Sequence, residues 1–420
     1  MATTTTNEPR ENERREACGV AHALAGWATA LEPSRDDFAL AHRSLLDTLA
    51  VMLAARRDRL RAVLEQLSEA GRWGALAHVL DFDDLHMPST THVSAVCVPA
   101  TLVTGGDARA FLAGAGVMAR LGSALGWRHY RAGWHATCTA GAPGAAVAAA
   151  IARGLDRERV ATALALAVPA AGGVQRAFGT AAKALQVGFA VEAGIRAAAL
   201  ADAGASADPL ALDDWIALVG GNPSALDCGG ASVPDGLAIK LFPCCYALQR
   251  PISALATIPC PAAERVRKLR VRTPSSAVAP LLHHRPRTGL EGKFSLEYGL
   301  AATLLDGHPR LASFSDRAVR RPEARRLVEL VELTAIPGGE HLLAGEVEIE
   351  VVLAGGAVLR AALELPPGAP GLPPTDTQLR EKLRACAGAA AAPADVSPRA
   401  CDALAALSWD SAAAYVRKSL

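Results

Sequence analysis

Aromatic residues are scarce in this chain of 420 residues. They make up 4% of the sequence, whereas hydrophobic residues as a whole make up 51%. An apolar core must therefore be built mainly from Ala, Leu and Val. Alanine loses almost no side-chain entropy in a helix, and small side chains allow helix axes to approach closely. The composition predicts a closely packed helical body in a chain long enough for two domains.

An excess of charge of one sign is also missing. The 43 Lys and Arg residues balance 42 Asp and Glu residues, and neither sign forms a long block. Nucleic-acid binding needs a basic face or stripe, so this function is not expected. The most apolar runs, such as residues 145–152, are too short and too small in side chain to span a bilayer. We therefore expect a soluble, cytoplasmic protein without a membrane partner.

The chain has no pair of cysteines at C-x-x-C spacing. Its nine cysteines are scattered and odd in number, which is typical neither of a disulfide framework nor of a zinc site. Only Cys244 and Cys245 are adjacent, and adjacent cysteines rarely share one metal ion. The pattern predicts reduced thiols and no metal site.

Helical periodicity dominates the chain up to about residue 260. A helix is predicted to begin near Ser34, whose hydroxyl can cap it, with Asp36 and Asp37 in the first turn. A later alanine-rich helix is predicted over residues 145–153, with Gly154 as its C-cap. Residues 81–92 interrupt the periodicity and predict an irregular loop, the kind of segment on which catalytic residues tend to lie.

From residue 265 the pattern alternates. Residues 265–272 predict a strand, and residues 346–353 with 354–360 predict a hairpin that turns at Gly355-Gly356. Residues 321–333 predict a helix. We therefore predict a mainly α protein with a smaller α+β domain. Its expected parts are a disordered lead-in rather than a signal peptide (1–16), an all-helical domain (17–261), an α+β lid domain (262–370) and C-terminal helices that return to the helical domain (371–420).

Four segments contain the residues that are candidates for catalysis or substrate binding. Residues 131–145 place His135 among small residues, and residues 178–183 place Lys183 in a similar setting. Two further segments are residues 81–92 and residues 239–254. In this order they resemble the MmgE/PrpD family, and the resemblance extends from about Asp47 to at least Pro322. The stretches that carry it are Asp47-Thr-Leu-Ala, Asp81-Phe-Asp-Asp, Thr91-His-Val-Ser, Gly133-Trp-His-Ala-Thr, Phe178-Gly-Thr-Ala-Ala-Lys, Phe242-Pro-Cys-Cys-Tyr, Gly292-Lys-Phe-Ser-Leu-Glu-Tyr and Leu304-Leu-Asp-Gly.

The resemblance implies a fold and a class of reaction. The family contains 2-methylcitrate dehydratase, cis-aconitate decarboxylase and iminodisuccinate epimerase. Its members act on small polycarboxylates without a cofactor or metal, are commonly homodimers, and hold the active site between a helical domain and an α+β lid domain. We therefore expect a homodimer with a small polycarboxylate substrate.

The resemblance also implies roles for individual residues. His92 and His135 match the histidines of proton transfer, a role that imidazole suits at neutral pH, and Asp81 is expected to orient one of them. Tyr298 matches a catalytic tyrosine of decarboxylase-like members. The residues expected to bind substrate are Lys183, Lys240, Asp84, His86 and Cys245. The ordinary alternatives are helix capping for the aspartates, surface exposure for the lysines and a core position for Tyr298.

Three positions depart from the family pattern. Leu85 stands where decarboxylases have threonine, and Cys245 and Gln249 stand where a histidine is frequent. Leucine offers no hydrogen bond and glutamine cannot take up a proton, so decarboxylation is the less expected activity. We predict a 2-methylcitrate dehydratase-like lyase that abstracts a proton alpha to a carboxylate of a small di- or tricarboxylate. An iminodisuccinate epimerase-like isomerase, a cis-aconitate decarboxylase-like enzyme and a non-catalytic carboxylate- or partner-binding protein remain alternatives.

Overall fold

The computed structural model describes residues 19–390, residue 404 and residues 406–420. The predicted lead-in at residues 1–16 lies outside the described residues. Within them, the fold is mainly helical with one small mixed sheet, as predicted. The first lobe contains α1 (Val20–Thr29), α2 (Arg35–Ala55), α3 (Arg61–Leu64), α4 (Glu69–His78), α5 (Ser94–Val103), α6 (Ala108–Arg131), α7 (Ala136–Ala152), α8 (Arg157–Ala167), α9 (Ala182–Asp202) and α10 (Ala211–Leu218).

The second lobe combines helices with the sheet. Its elements are α11 (Tyr246–Leu255), β1 (Val266–Pro274), α12 (Gly289–Gly292), α13 (Leu296–Asp306), α14 (Asp316–Val319), α15 (Pro322–Val328), β2 (Val331–Ile336), β3 (Val347–Leu353) and β4 (Val358–Leu363). Helices α16 (Asp376–Ala390) and α17 (Trp409–Ser419) follow. Helix α11 packs in the second hydrophobic core. The predicted boundary between the domains, after residue 261, instead assigns this helix to the first domain.

Helix α2 begins as its sequence predicts. Ser34 Oγ accepts a hydrogen bond from the Asp37 backbone at 3.2 Å, and the Asp37 carboxylate accepts one from the Ser34 backbone at 2.9 Å. This reciprocal pair satisfies two backbone donors that the first helical turn would otherwise leave unpaired.

Helix α7 lies at the centre of the first lobe, and α5, α6, α8 and α9 pack against it. All of its residues from Ala136 to Ile151 are buried. A Cβ on Gly144 would lie 2.8 Å from Met118 Cβ, and one on Gly194 of α9 would lie 2.5 Å from the Ala142 carbonyl oxygen. The helix begins at Ala136 rather than at residue 145, because this close packing outweighs the low helix propensity of its Gly and Pro residues.

The sheet has the strand order β2-β1-β3-β4. Strands β3 and β4 form the predicted hairpin, and Gly355 and Gly356 turn with φ values of 92° and 86° that glycine adopts readily. The helix predicted over residues 321–333 is wrong at its end, because α15 stops at Val328. Residues after it form β2, which pairs in parallel with β1 and could not be recognised without that distant partner.

The two C-terminal helices pack on the first lobe. Helix α16 contacts α2, and Lys382 of α16 lies 2.6 Å from the Asp47 carboxylate of α2. Helix α17 contacts α2 and α5, and its Trp409 ring lies 5.2 Å from that of Phe111. Among the described residues, α2 and α9 are long and apolar enough to cross a membrane, but 67% and 56% of their apolar windows are buried in the fold. Such burial is typical of core helices.

Candidate active site

The loop between α4 and α5 supplies the first part of the site. Its Asp81 has a φ of 52°, a left-handed conformation that costs a non-glycine residue about 1–3 kcal/mol. Lys240 holds this backbone in place, because its Nζ donates to the Asp81 carbonyl at 3.0 Å and to the Asp81 carboxylate at 2.6 Å. The strained residue is therefore fixed by a buried ion pair.

Asp81 is paired with two lysines. Its Oδ1 lies 2.6 Å from Lys240 Nζ and 3.4 Å from Lys183 Nζ. Burial alone would raise the pKa of Asp81, but these ammonium groups hold it well below its ordinary value. Burial would likewise lower the pKa of Lys240, but Asp81 raises it above its ordinary value. The structure thus pairs Asp81 with lysines, whereas we expected it to orient a histidine.

Asp83, which the sequence analysis did not single out, contacts two histidines. Its Oδ2 lies 2.7 Å from His78 Nδ1 and 3.0 Å from His92 Nδ1, and the two imidazole rings meet edge to face. Burial lowers the pKa of His92 to about 3, although Asp83 opposes this shift. Burial also lowers the pKa of His78. Both imidazoles are therefore neutral near pH 7.

His135 is the N-cap residue of α7, and its side chain makes no capping hydrogen bond. Its Nδ1 lies 3.0 Å from Gln186 Oε1, which also accepts a hydrogen bond from the Val174 backbone N–H. Because a backbone N–H can only donate, this atom is the amide oxygen, and His135 Nδ1 must carry the hydrogen. Its Nε2 is then an unprotonated base, buried and without a partner among the described residues.

Burial also keeps His135 neutral. It lowers the pKa of the imidazole well below its ordinary value, and the nearby Lys183 ammonium lowers it further. The ring lies 5.0 Å from Phe178, which in turn stacks on Phe294 of the second lobe at 5.3 Å. The seam between the lobes therefore passes directly beside this imidazole.

A cavity of about 20 Å³ lies between these groups, large enough for about one water molecule. Residues of both lobes line it, and the predicted site residues among them are Asp81, His92, His135, Lys183 and Cys245. A second space of about 10 Å³ adjoins it and shares Asp81, Lys183 and Phe294. The structure thus brings together five of the predicted residues, and Lys240 reaches the same cluster through Asp81.

Lys293 is a further cation that the sequence analysis did not single out. It comes from the second lobe, lines the smaller space, and its Nζ donates to the Leu80 carbonyl of the first lobe. Burial lowers its pKa to about 8. The signal was available, because Lys293 is the lysine of the Gly-Lys-Phe-Ser stretch, and Asp83 and His78 lie in or just before Asp81-Phe-Asp-Asp.

Tyr298, Asp84 and His86 do not line the cavity. The Tyr298 hydroxyl donates to the Ser313 carbonyl, so this predicted catalytic residue packs inside the second lobe. Asp84 accepts hydrogen bonds from the backbone and hydroxyl of Ser94, and burial raises its pKa to about 7. His86 Nδ1 lies 2.7 Å from Ser89 Oγ, and its Nε2 lies 2.8 Å from the Pro234 carbonyl oxygen. These three positions contribute to packing rather than to the cavity wall.

The departures from the family pattern also have defined places. Leu85 and Cys245 line the cavity, and burial raises the pKa of the Cys245 thiol to about 12, so it is present as the thiol. Gln249 Oε1 accepts hydrogen bonds from the backbones of Leu241 and Phe242. Glutamine at this position therefore fixes the turn that carries Cys245.

One group of side chains offers donors for a metal ion. His78, Asp83 and His92 each place a nitrogen or oxygen within 4.8 Å of the others. The 2.7 Å and 3.0 Å separations are those of direct contacts between ring nitrogens and a carboxylate, and a Zn²⁺ ion would need about 2 Å to each ligand. Lys183 Nζ also occupies the remaining side of His78, 2.5 Å from its Nε2. The arrangement fits a hydrogen-bonded network better than a metal site.

Comparison with known families gives two matches. The family model described as the MmgE/PrpD N-terminal domain matches residues 70–215. The model described as the MmgE/PrpD C-terminal domain matches residues 242–406. No curated protein matches the chain. The matched ranges contain the loop with Asp81, both histidines, Lys183 and Lys293, whereas Lys240 lies between the two ranges.

Proposed function

Because the chain belongs to the MmgE/PrpD family, which generally contains enzymes, we propose that it abstracts a proton alpha to a carboxylate of a small di- or tricarboxylate and then expels water. The proposal rests on one observation: two neutral imidazoles and three lysine side chains lie around the buried cavity and the smaller space beside it, between the two lobes. Such a place supplies bases for the carbon acid and cations for the carboxylates of the substrate.

His92 and His135 are the bases. His135 Nδ1 is hydrogen-bonded to Gln186 Oε1, and His92 Nδ1 lies 3.0 Å from Asp83 Oδ2. The opposite ring nitrogen, Nε2, is therefore the atom available to a substrate in the cavity that both residues line. A neutral imidazole accepts a proton without first losing one, and the Asp83 carboxylate beside His92 stabilises the imidazolium that forms against the effect of burial.

Lys183, Lys240 and Lys293 supply positive charge. Asp81 and Asp83 are ionised and offset two of these three charges in the absence of substrate, so the site retains an excess of one positive charge for a di- or tricarboxylate. These groups are buried, and their interaction with a bound carboxylate is therefore stronger than at a solvated surface. A lysine ammonium is also the acid from which a leaving hydroxyl group can take a proton.

The neutral state of both histidines suits the base that elimination requires. Epimerisation by two opposed groups also requires one base and one acid, so an iminodisuccinate epimerase-like activity is the second candidate. In dehydration, the C–H proton passes to Nε2 of a histidine, the C–H electron pair forms the carbon–carbon double bond, and the hydroxyl leaves as water with a proton from a lysine. The imidazolium then returns its proton to that lysine, which restores the site.

Substrate binding requires the two lobes to separate locally. The cavity of about 20 Å³ is much smaller than a dicarboxylate. Phe178 of the first lobe and Phe294 of the second stack across its edge at 5.3 Å, and both line it. Displacement of this aromatic pair would widen the cavity toward the seam of the lobes.

Proton NMR in deuterated water tests the proposal. The purified protein is incubated with 2-methylcitrate, citrate, cis-aconitate or iminodisuccinate. Dehydration of 2-methylcitrate turns its methyl doublet into the singlet of a methyl group on a double bond, and dehydration of citrate creates one vinyl signal. Decarboxylation of cis-aconitate releases carbon dioxide and gives a different vinyl pattern, and simple epimerisation exchanges an alpha proton for deuterium. We expect the dehydration signals, and we expect His92→Ala and His135→Ala to remove them. Exchange without elimination would replace the dehydratase assignment by an isomerase, and unchanged turnover in both variants would overturn the role of the histidines.

A further inference from the structure

A continuous chain of contacts joins Lys183 to His92 behind the cavity. Lys183 Nζ lies 2.5 Å from His78 Nε2, His78 Nδ1 lies 2.7 Å from Asp83 Oδ2, and the same oxygen lies 3.0 Å from His92 Nδ1. His78 and Asp83 are almost completely buried, and neither lines the larger cavity. They therefore touch the two candidate functional residues from behind.

The order of donors and acceptors along this chain fixes where the hydrogens lie. A lysine ammonium can only donate, so His78 Nε2 must accept and His78 Nδ1 must carry the hydrogen. That hydrogen is donated to Asp83 Oδ2, which as a carboxylate oxygen can accept a second one. His92 Nδ1 lies 3.0 Å from this oxygen, although the pair does not have hydrogen-bond geometry. Because a ring lone pair and a carboxylate oxygen repel at that distance, a hydrogen on His92 Nδ1 is favoured, which leaves His92 Nε2 unprotonated.

Asp83 uses its two oxygens unequally. Its Oδ1 has no partner among the described residues, which is also true of one oxygen of Asp47 and of Asp81. Both contacts of Asp83 go through one oxygen to two imidazoles. Neighbouring Asp84, which is equally buried, instead uses both oxygens on Ser94 and carries no functional residue.

We infer that Asp83 and His78 are positioning residues, which set the tautomer of His92 and hold Lys183 toward the cavity. This inference rests on the proposed function, because it treats His92 as the base and Lys183 as a substrate-binding cation. Asp83 does not take the proton itself. Its negative charge stabilises the imidazolium that forms when His92 Nε2 accepts the proton from carbon.

Nitrogen-15 NMR of the histidine-labelled protein tests the tautomers without any substrate. We expect the wild-type protein to show His78 and His92 as neutral imidazoles with hydrogen on Nδ1, each assigned by the loss of its signals in His78→Gln or His92→Gln. In Asp83→Asn, an amide NH₂ can donate to a ring nitrogen, so at least one of the two rings should change to the Nε2–H tautomer. Wild-type rings with hydrogen on Nε2, or an unchanged pattern in Asp83→Asn, would overturn the inference.

Turnover then separates positioning from folding. We expect Asp83→Asn to lower kcat about 10²- to 10⁴-fold, the range that a correctly placed general base contributes, with a smaller change in KM. His78→Gln should raise KM as well, because Lys183 loses its acceptor. His129→Gln is the matched control, since His129 is a fully buried histidine with both ring nitrogens bonded elsewhere, to Val219 O and Thr139 Oγ1.

The two readouts keep the failure of the inference apart from failure of the proposed function. If no substrate of the panel reacts, the tautomers still decide whether Asp83 positions the imidazoles. If the wild-type protein turns over and Asp83→Asn keeps both its tautomers and its kcat, the inference fails while the proposed function stands. A loss of kcat in His129→Gln as large as in His78→Gln would also overturn it, because the effect would then be one of general packing.

Discussion

Removal of the Lys240 ammonium should destabilise the protein by breaking a buried ion pair. Lys240 Nζ lies 2.6 Å from the Asp81 carboxylate and 3.0 Å from the Asp81 carbonyl oxygen. In Lys240→Met the aliphatic chain remains, but Asp81 keeps only Lys183, which is 3.4 Å away. Loss of one partner from a buried pair costs about 3–5 kcal/mol, because the other charge stays buried without full compensation.

This free energy corresponds to a measurable change in Tm. At about 2.1 cal/mol/K per residue, a chain of 420 residues has an unfolding entropy of about 0.9 kcal/mol/K. Lys240→Met should therefore lower Tm by about 3–6 °C in thermal unfolding followed by circular dichroism at pH 7. Asp81→Asn is the partner variant, since asparagine also tolerates the left-handed backbone of residue 81. The double variant should lose less than the sum of the two single variants.

The ion pair between Asp81 and Lys240 should also make the stability of the protein depend on pH in the acid range. The lysines hold the pKa of Asp81 well below 3.8, although burial alone would raise it. Below about pH 4 the native state therefore binds fewer protons than the unfolded state, so the stability from this carboxylate is present above about pH 4 and is lost as the pH falls. Lys240→Met should weaken this dependence on acid. An unchanged Tm at pH 7, or strictly additive effects in the double variant, would refute the reasoning.

Three further changes have defined outcomes. Burial raises the pKa of Asp84 to about 7, so the native state binds more protons than the unfolded state between about pH 4 and pH 7. The free energy of unfolding therefore falls as the pH rises through this window. Asp84→Asn should flatten that part of the Tm–pH curve, and an unchanged curve would contradict this prediction. Burial lowers the pKa of Lys293 to about 8, so this lysine loses its charge and kcat/KM should fall above that pH. Lys293→Arg should move this fall in kcat/KM to higher pH. An unchanged fall in the variant would exclude Lys293 as its origin. A Cβ at Gly194 would lie 2.5 Å from the Ala142 carbonyl oxygen, so Gly194→Ala should lower the free energy of unfolding measured in urea by about 1–3 kcal/mol. Gly172→Ala, whose Cβ would meet no neighbour within 4 Å and whose φ is not positive, should lower it less.

The sequence allowed several parts of the site to be located because they lie in short stretches with a fixed order. His135 precedes an alanine-rich helix, and Lys183 opens another, so both were predictable as single residues among small neighbours. Which of these side chains contact one another could not be predicted from the sequence. It depends on the left-handed turn at Asp81, which directs this carboxylate to the lysines and leaves Asp83 to the histidines.

The remaining errors also come from tertiary contacts. Tyr298 was expected in the site because of the stretch that contains it, but the face of α13 on which it lies packs against Ser313 and Phe314. Strand β2 was missed because its partner β1 lies about sixty residues earlier in the chain, and a short strand has little periodicity of its own. By contrast, the Ser34 cap and the hairpin at Gly355-Gly356 are local signals, and both were predictable.

The close packing around α7 limits how the sequence can diverge. Gly144 and Gly194 have no smaller replacement, and any side chain at either position meets a neighbour at less than 3 Å. The walls of the cavity are different, because Leu85, Cys245 and Leu342 lie on loops or turns outside this packed centre. Exchange of a wall residue therefore changes the shape of the cavity and leaves the packed helices in place, whereas a side chain at Gly144 or Gly194 forces these helices apart.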